Sequence, residues 1–453
     1  MINKIKHIFS DRDERNLFLN IGLSFLVKGL SLIISLFSMP LYIKYFNDDE
    51  VLGLWYTILS VINWIIIFDF GLGNGLRNRL TEALSLKQYD KAKSFISSTY
   101  ITLIVIIFPV SIVGVLFITI FDLNSFFNVS TNLISSEVLK ESVLILFLGV
   151  CLNFVLKIIN SIIYAIQKSS LNNILSLLTS LIPIIYIFLF NGGEMERNLI
   201  SLTIVHVIAI NVPLLVSSLI LFNSKLLNQC KPSIKNCNFR TGKTILFFGS
   251  KFFLAQVFFM FLTTTNEIII TKIFGSSYVV EYSIYYRLFT MIGSLFMLAL
   301  TPLWSKVTKD FYEKKYNKIL NTNRVLYVLS GLAFVLELLL VPLSQFAINL
   351  WLQEEAIKVN YYIATIFALY GGIYIFNVVV TTIANALADL KIQIIFYGIG
   401  SILKIPVILI MSLFTSNWSI VMLFNSIILL LFCIFEVIWI EKKIKKNILI
   451  QLN

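Results

Sequence analysis

Five cations stand inside long apolar stretches of this chain: Lys28, Lys157, Lys251, Arg287 and Lys404. An apolar stretch of about twenty residues reads as a membrane span. A lysine at the centre of a span costs about 2.5–3.5 kcal/mol on insertion scales. Five such charges facing lipid would together rival the whole stability of a typical protein. They are therefore expected to meet partners or a water-filled interior, and an interior rich in cations suits an anionic passenger. Lys28 carries this reading furthest. Asn20, Ser24, Lys28, Ser31 and Ser35 recur at helical spacing and draw one polar stripe along Leu17–Ile43.

Other stretches carry similar stripes: Asn153, Lys157, Asn160 and Tyr164 in one, and Tyr370, Tyr374, Asn377, Thr381 and Asn385 in another. Gln256, Thr263 and Glu267 mark a third, and Tyr397, Ser401 and Lys404 a fourth. Amides offer hydrogen bonds without a full charge, and aromatic faces stack on sugar rings. Asn20, Asn153, Asn160, Tyr374, Asn377 and Asn385 therefore join the five cations as candidate contacts for a long, hydroxyl-rich passenger. For any one amide taken alone, a bond from helix to helix is the commoner use. Lys251 lies near enough to its span's end to snorkel to the interface. The acids Glu267, Glu337 and Asp69 are candidates for a coupling proton or sodium ion, with a structural pairing as the alternative. His206, alone in its span, reads as a packed residue, and no cysteine or histidine spacing matches a metal site.

The elements that must position these groups follow from composition. With 58% hydrophobic and 13% charged residues, the chain is no ordinary soluble protein. About twelve spans can be drawn, from Leu17–Ile43 to Trp418–Ile440, so the expected fold is an all-α polytopic membrane protein. The first is too long for a signal sequence and lacks a small-residue cleavage site. Alternate loops collect 26 Lys and Arg on one side and 5 on the other. The positive-inside rule then puts both termini in the cytoplasm. The net charge of +12 is largely this bias and points to no nucleic acid.

The chain also contains a faint repeat at an offset of about 227 residues. Thr81, Lys87, Tyr89 and Lys91 coincide with Thr308, Lys314, Tyr316 and Lys318. One residue off that register, Lys44-Tyr45-Phe46 matches Lys272-Ile273-Phe274. Two lobes of six spans are expected, residues 1–222 and 245–453, with residues 223–244 as a cytoplasmic linker. Repeats of this kind place a substrate site between the halves and work by rocking. Gly71, Gly73 and Gly75 end the second span, where they would let the backbone turn or the lobe flex. Gly242-Lys243-Thr244 imitates the end of a phosphate-binding loop, but Cys237 stands where the first glycine is needed and a span follows. No ATP site or other cofactor is expected, and the driving force should be a gradient.

The chain resembles the oligosaccharide repeat-unit flippases for O-antigen and capsule, in the multidrug/oligosaccharidyl-lipid/polysaccharide exporter superfamily. The resemblance rests on Asn20 and Lys28, on Phe68-Asp69-Phe70-Gly71-Leu72-Gly73-Asn74 with Arg77, and on Thr265-Asn266 before Ile268-Ile269-Ile270 and Phe274-Gly275. Tyr282-Ser283-Ile284-Tyr285-Tyr286-Arg287 and Thr301-Pro302-Leu303-Trp304-Ser305 add to it. It implies twelve helices in two six-helix lobes around a cationic central cavity. The implied passenger is an oligosaccharide on undecaprenyl diphosphate, moved from the inner to the outer leaflet of the bacterial cytoplasmic membrane by alternating access. The lysines and Arg287 would meet the diphosphate, and the amides and tyrosines the sugars. Membrane lipid, a polysaccharide polymerase and a chain-length regulator are the implied partners. Thr265-Asn266-Glu267 departs from the family's usual aspartate near the seventh helix's end.

Three rivals fit less well. A drug exporter of the same superfamily would want an acidic and aromatic cavity. A peptidoglycan-precursor flippase shares the diphosphate but would show further spans. A membrane polysaccharide polymerase, an enzyme, would carry a large outer loop with arginines, whereas Asp122–Glu141 is short and holds one lysine.

Overall fold

A computed structural model of the chain describes residues 12–67, 71–127, 129–190, 193–225, 227–275, 277–352 and 357–452. Asp69 lies outside them, and so does the side chain of Lys28, whose backbone belongs to the first helix. The chain divides into two compact units, Met1–Ser250 and Lys251–Asn453. Among the described residues there is no strand. A backbone in hydrocarbon must satisfy its own N–H and C=O groups, and helices do so locally.

The first unit runs α1 (Arg12–Phe46), α2 (Asp49–Ile67), α3 (Leu72–Ser85), α4 (Tyr89–Ile120), a short α5 (Leu123–Phe127), α6 (Ser136–Leu156), α7 (Ile158–Ala165), α8 (Ser169–Leu189) and α9 (Met195–Asn223). Then come α10 (Phe239–Thr264), α11 (Asn266–Ile273), α12 (Ser277–Tyr312), α13 (Tyr316–Leu352), α14 (Tyr361–Ala386), α15 (Lys391–Ser412) and α16 (Ile420–Leu452). Counting α6 with α7 and α10 with α11, ten of these stretches are long and apolar enough to cross a membrane. Shorter apolar windows in α1 and α2, Leu19–Ser31 and Glu50–Leu59, stand where the first two spans were expected.

The repeat is written in the backbone. Left-handed residues fall at matching turns of the two units: Asn47 (φ 51°) and Gly275 (φ 121°) after the first span, Lys87 (56°) and Lys314 (59°) after the second, and Gln167 (61°) and Ala388 (53°) after the fourth. Lys314 follows Lys87 at the 227-residue offset of the sequence repeat. Their hydrogen bonds match as well. The Gln88 N–H reaches the Ala83 carbonyl at 2.8 Å, and the Lys315 N–H reaches that of Asp310 at 2.8 Å. The fourth spans end alike, with Lys168 N–H on Ile163 (3.0 Å) and Asp389 N–H on Ala384 (3.1 Å). This six-to-one bond is a helix stop that satisfies an orphan carbonyl.

The glycines after the second span also find a purpose. Gly71 adopts φ 66° and turns the chain into α3. Gly75 meets the backbone of Gly249, in the first half of α10. A Cβ on Gly249 would stand 2.8 Å from the Gly71 oxygen, and one on Gly75 only 3.2 Å from Gly249 Cα. Only glycines let two backbones touch this closely. Gly242 is likewise a packing glycine inside α10, set against Thr102 of α4.

Candidate functional site

In the first unit the amides stitch helices together. Asn20 Nδ2 donates to the Gln167 carbonyl (2.9 Å) and its Oδ1 accepts from Ser170 Oγ (2.7 Å). Four residues along α1, Ser24 Oγ accepts from Asn173 Nδ2 at 2.6 Å, so α1 is sewn to α8. Asn153 Nδ2 donates to the Ile210 carbonyl (2.8 Å), and Asn211 Nδ2 returns the bond to Gly149 (3.0 Å), a reciprocal clamp between α6 and α9. The Asn160 carbonyl accepts from Asn172 Nδ2 at 3.0 Å, while the Asn160 Oδ1 is buried without a partner among the described residues. Lys157 caps α6 at the break before α7, half-buried and engaged by a neighbour. From the expected stripe, Tyr164 serves another cation: its ring lies 4.6 Å beneath the buried guanidinium of Arg77 in α3.

The second unit builds a charged node at a second helix break. Thr263, Thr264 and Thr265 each fold the hydroxyl back onto a carbonyl four residues earlier, at 2.9, 2.7 and 2.6 Å. Such bonds compete with the helix ladder and bend it, and α10 ends here. Lys404 of α15, 1% exposed, reaches into this break. Its ammonium donates to the Leu262 carbonyl (2.6 Å), Thr265 Oγ1 (3.0 Å) and Asn266 Oδ1 (2.5 Å). Asn425 Nδ2 donates to the same Asn266 Oδ1 at 2.9 Å, and Asn266 Nδ2 donates to Tyr282 Oη at 3.0 Å. All three N–H bonds of the ammonium are taken by neutral oxygens, so Lys404 offers no open donor in this conformation.

Other candidates in this unit are more accessible. Arg287 on α12 is exposed and has no ion pair among the described residues. Lys251 is exposed and engaged by a neighbour, and Glu267 is exposed at the start of α11. Tyr374 is half-buried and closes a row of four rings across α12 and α14. Tyr282 lies 5.4 Å from Tyr286, Tyr286 6.1 Å from Tyr370, and Tyr370 6.1 Å from Tyr374. The i, i+4 spacing of Tyr282 with Tyr286 and of Tyr370 with Tyr374 marks the two pairs in the sequence, though not their meeting.

The remaining candidates are held inside. Asn377 is buried and donates to Tyr397 Oη at 2.8 Å. Asn385 is half-buried and engaged, and its carbonyl accepts the Ala388 N–H in the helix stop. Glu337, wholly buried, has neither carboxyl oxygen paired among the described residues. It sits against Gly371, where an added Cβ would come within 3.0 Å of its Cδ.

No family model matches the chain. Over 339 residues it is 25% identical to a Salmonella typhimurium protein described as "Putative O-antigen transporter", covering 69% of this chain and 72% of that one. Solved structures share the fold. A MATE protein in the bent conformation superposes with TM-score 0.75 at 13% identity over 99% of both chains. The Vibrio cholerae MATE transporter VcmN, also bent, gives 0.70 at 14% over 96% of this chain and 99% of its own. A superfamily transporter from Pyrococcus furiosus gives 0.73 at 14% over 96% and 97%. The resemblance seen in the residues is borne out at this level. The chain is a multi-pass membrane protein with the fold of the MATE transporters, and its relatives in sequence and in structure are named as transporters.

Proposed function

We propose that this transporter is a flippase for undecaprenyl-diphosphate-linked oligosaccharide repeat units. It moves them from the inner to the outer leaflet of the bacterial cytoplasmic membrane by alternating access, with both termini cytoplasmic. The observation that carries the reading is Arg287, an exposed guanidinium in the first half of an apolar helix, next in sequence to Tyr286, whose ring belongs to the row that ends at the partly exposed Tyr374. A planar fork of five donors suits phosphate oxygens, and tyrosine faces suit sugar rings. Similarity to a protein described as an O-antigen transporter supports the same passenger. The Pyrococcus protein, for which a reversed polarity of the binding pocket suggests a different function, gives a precedent for departing from drug export within this fold.

Lys28, Lys157 and Lys251 are proposed to assist Arg287 along the route. Lys404 acts on the passenger only if its node at the α10–α11 break opens during transport. Asn20, Asn153, Asn160, Asn377 and Asn385 contribute mainly through the helix positions they hold. An ion gradient drives the cycle, with Glu267, Glu337 and Asp69 as candidate coupling groups. A polysaccharide polymerase and a chain-length regulator are the natural neighbours of such a flippase.

The test is surface polysaccharide in a flippase-deficient host carrying wild type, Arg287→Lys or Arg287→Gln at matched membrane levels. Restoration by wild type, partly by Arg287→Lys and not by Arg287→Gln is expected. Full restoration by Arg287→Gln would remove Arg287 from the route, and no restoration by wild type across several glycan systems would count against the flippase.

A further inference from the structure

Glu436, on the last helix of the second unit, is a carboxyl that neither the cation pattern nor the proposed route uses. It is 0% exposed, and both carboxyl oxygens lack a partner among the described residues. The polar atoms at its level are also unsatisfied. Tyr327 of α13 faces it with a buried, unpartnered hydroxyl, and one turn earlier both polar atoms of Asn323 are orphaned. On α15, Gln393 Oε1 is buried and unpartnered. Phe396 stacks on Phe435 (5.3 Å) and Tyr397 packs on Phe432 (4.9 Å). Those two contacts run α15 and α16 antiparallel and set Gln393 and Glu436 at one depth.

The ionisable surroundings come from every neighbouring element. Tyr327 faces Glu436 from α13 and Tyr397 from α15, while Cys433 precedes it by a turn on α16. From α14, Asn377 binds Tyr397. Further out are Glu441, Lys443 and, in the α14–α15 turn, Asp389. Asp389 accepts from Trp439 Nε1 (2.9 Å) and from Lys443 Nζ (2.8 Å), one and two turns beyond Glu436 on the same helix. The cation nearest to Glu436 is thus already held by another carboxylate. An enclosed carboxylate with no donor and no cation is strongly unfavourable. A neutral acid is different: it carries an O–H to offer where acceptors such as Gln393 Oε1 and Asn323 Oδ1 lack donors.

We propose that Glu436 is a proton-binding site of the second unit, holding its proton in this conformation and exchanging it at the membrane face marked by Asp389 and Lys443. The proposal deepens the transporter reading by naming the proton as a coupling ion. On release the O–H bond breaks heterolytically and the proton passes to water at that face. The carboxylate left behind needs water or Lys443 as a new partner, so the lower turns of α13, α15 and α16 must part to let it leave. Proton release and helix movement are in this way one event. Glu337 is buried and unpartnered too, but it packs into the Gly371 notch rather than beside such a chain of polar groups.

The full-length protein in liposomes, with no glycan present, would be titrated by infrared difference spectroscopy in the carbonyl-stretch region of protonated carboxylic acids. Glu436→Gln keeps the shape and neutrality of the acid and should fold; a monodisperse elution profile confirms it. Expected is a pH-dependent band that disappears in Glu436→Gln, persists at a shifted pH in Glu436→Asp and survives in Glu337→Gln. A Glu436→Gln spectrum superimposable on wild type, or a band lost only in Glu337→Gln, would overturn the proposal. Because no glycan is used, failure here leaves the flippase reading intact, and failure of glycan export leaves this site intact.

Discussion

The two units share a topology and handle polarity in opposite ways. The first spends its amides on backbone: Asn153, Asn172 and Asn211 donate to carbonyls of neighbouring helices, and Asn20 to that of Gln167 in the turn between α7 and α8. Its one fully described buried charge is Arg77, lying over Tyr164 near the end of the second span. The second unit buries ionisable groups within its spans: Lys404 saturated by neutral oxygens, and Glu337 and Glu436 with no partner among the described residues. Satisfied amides hold helices in fixed positions, since breaking them leaves a carbonyl unpaired in an apolar surround. Groups that can gain or lose a proton give a helix bundle two states of similar energy. If Glu436 exchanges its proton as proposed, the first half holds its shape and the second is the half that changes.

The largest effect should come from the Lys404 node. Lys404→Met leaves the Leu262 carbonyl, Thr265 and Asn266 without their charged donor, at about 1.5–3 kcal/mol per bond to a charged group. Relief from burying the ammonium offsets part of this, and a net loss of about 2–4 kcal/mol is expected. Thermal melting of the purified protein in detergent measures it; an unchanged melting temperature would show the node to be ornamental. Next comes Gly249→Val, which drives a side chain into the Gly71 carbonyl and should cost about 1–3 kcal/mol by overpacking, read in the same melt.

The amide clamps should cost less singly. Asn153→Leu is expected to lose about 0.6–1.7 kcal/mol, the range for interhelical bonds in membranes. The double variant with Asn211→Leu tests whether the reciprocal pair acts as one unit. Losses larger than that of Lys404→Met would reverse the contrast between the units.

The smallest effect belongs to the Asp389–Lys443 pair. Burial works to raise the Asp389 carboxyl, but hydrogen bonds from Lys443 and Trp439 outweigh it and hold it below the usual carboxylate range. A depressed folded value means that the contribution is whole at neutral pH. It is lost only as pH falls through that value. Asp389→Asn should therefore cost about 0.2–1 kcal/mol at neutral pH and nothing in strong acid. Melts at the two pH values check it; an equal cost at both would mean that charge is not involved.

Much of this was legible in the sequence because membrane spans and repeats depend on coarse patterns. Apolar length marked the helices, and the Lys87/Lys314 match marked a turn whose left-handed backbone is shared. What the pattern could not give was where polar side chains end up. Asn20 and Asn153 lie on stripes that look like cavity faces, yet a helical stripe reads the same whether it meets water or a neighbouring helix. Lys404 falls mid-span as expected, but its partners are fixed by the break that three consecutive threonines make in another helix 140 residues away. In the sequence Glu436 has Lys442 and Lys443 close by as possible ion-pair partners; only the fold shows that Lys443 bonds Asp389 instead. The tyrosine row was half visible, since i, i+4 spacing marks each pair but not their meeting.

The most direct measurement is translocation of undecaprenyl-diphosphate-linked oligosaccharide in liposomes holding the purified protein, followed by leaflet-selective enzymatic capture of the glycan. Wild type should move it, Arg287→Lys should retain part of the rate, and Arg287→Gln should fall about tenfold or more, the loss of one charge-assisted contact of about 1.5 kcal/mol. No movement by wild type, in liposomes where the same protein exports a cationic drug, would contradict the account.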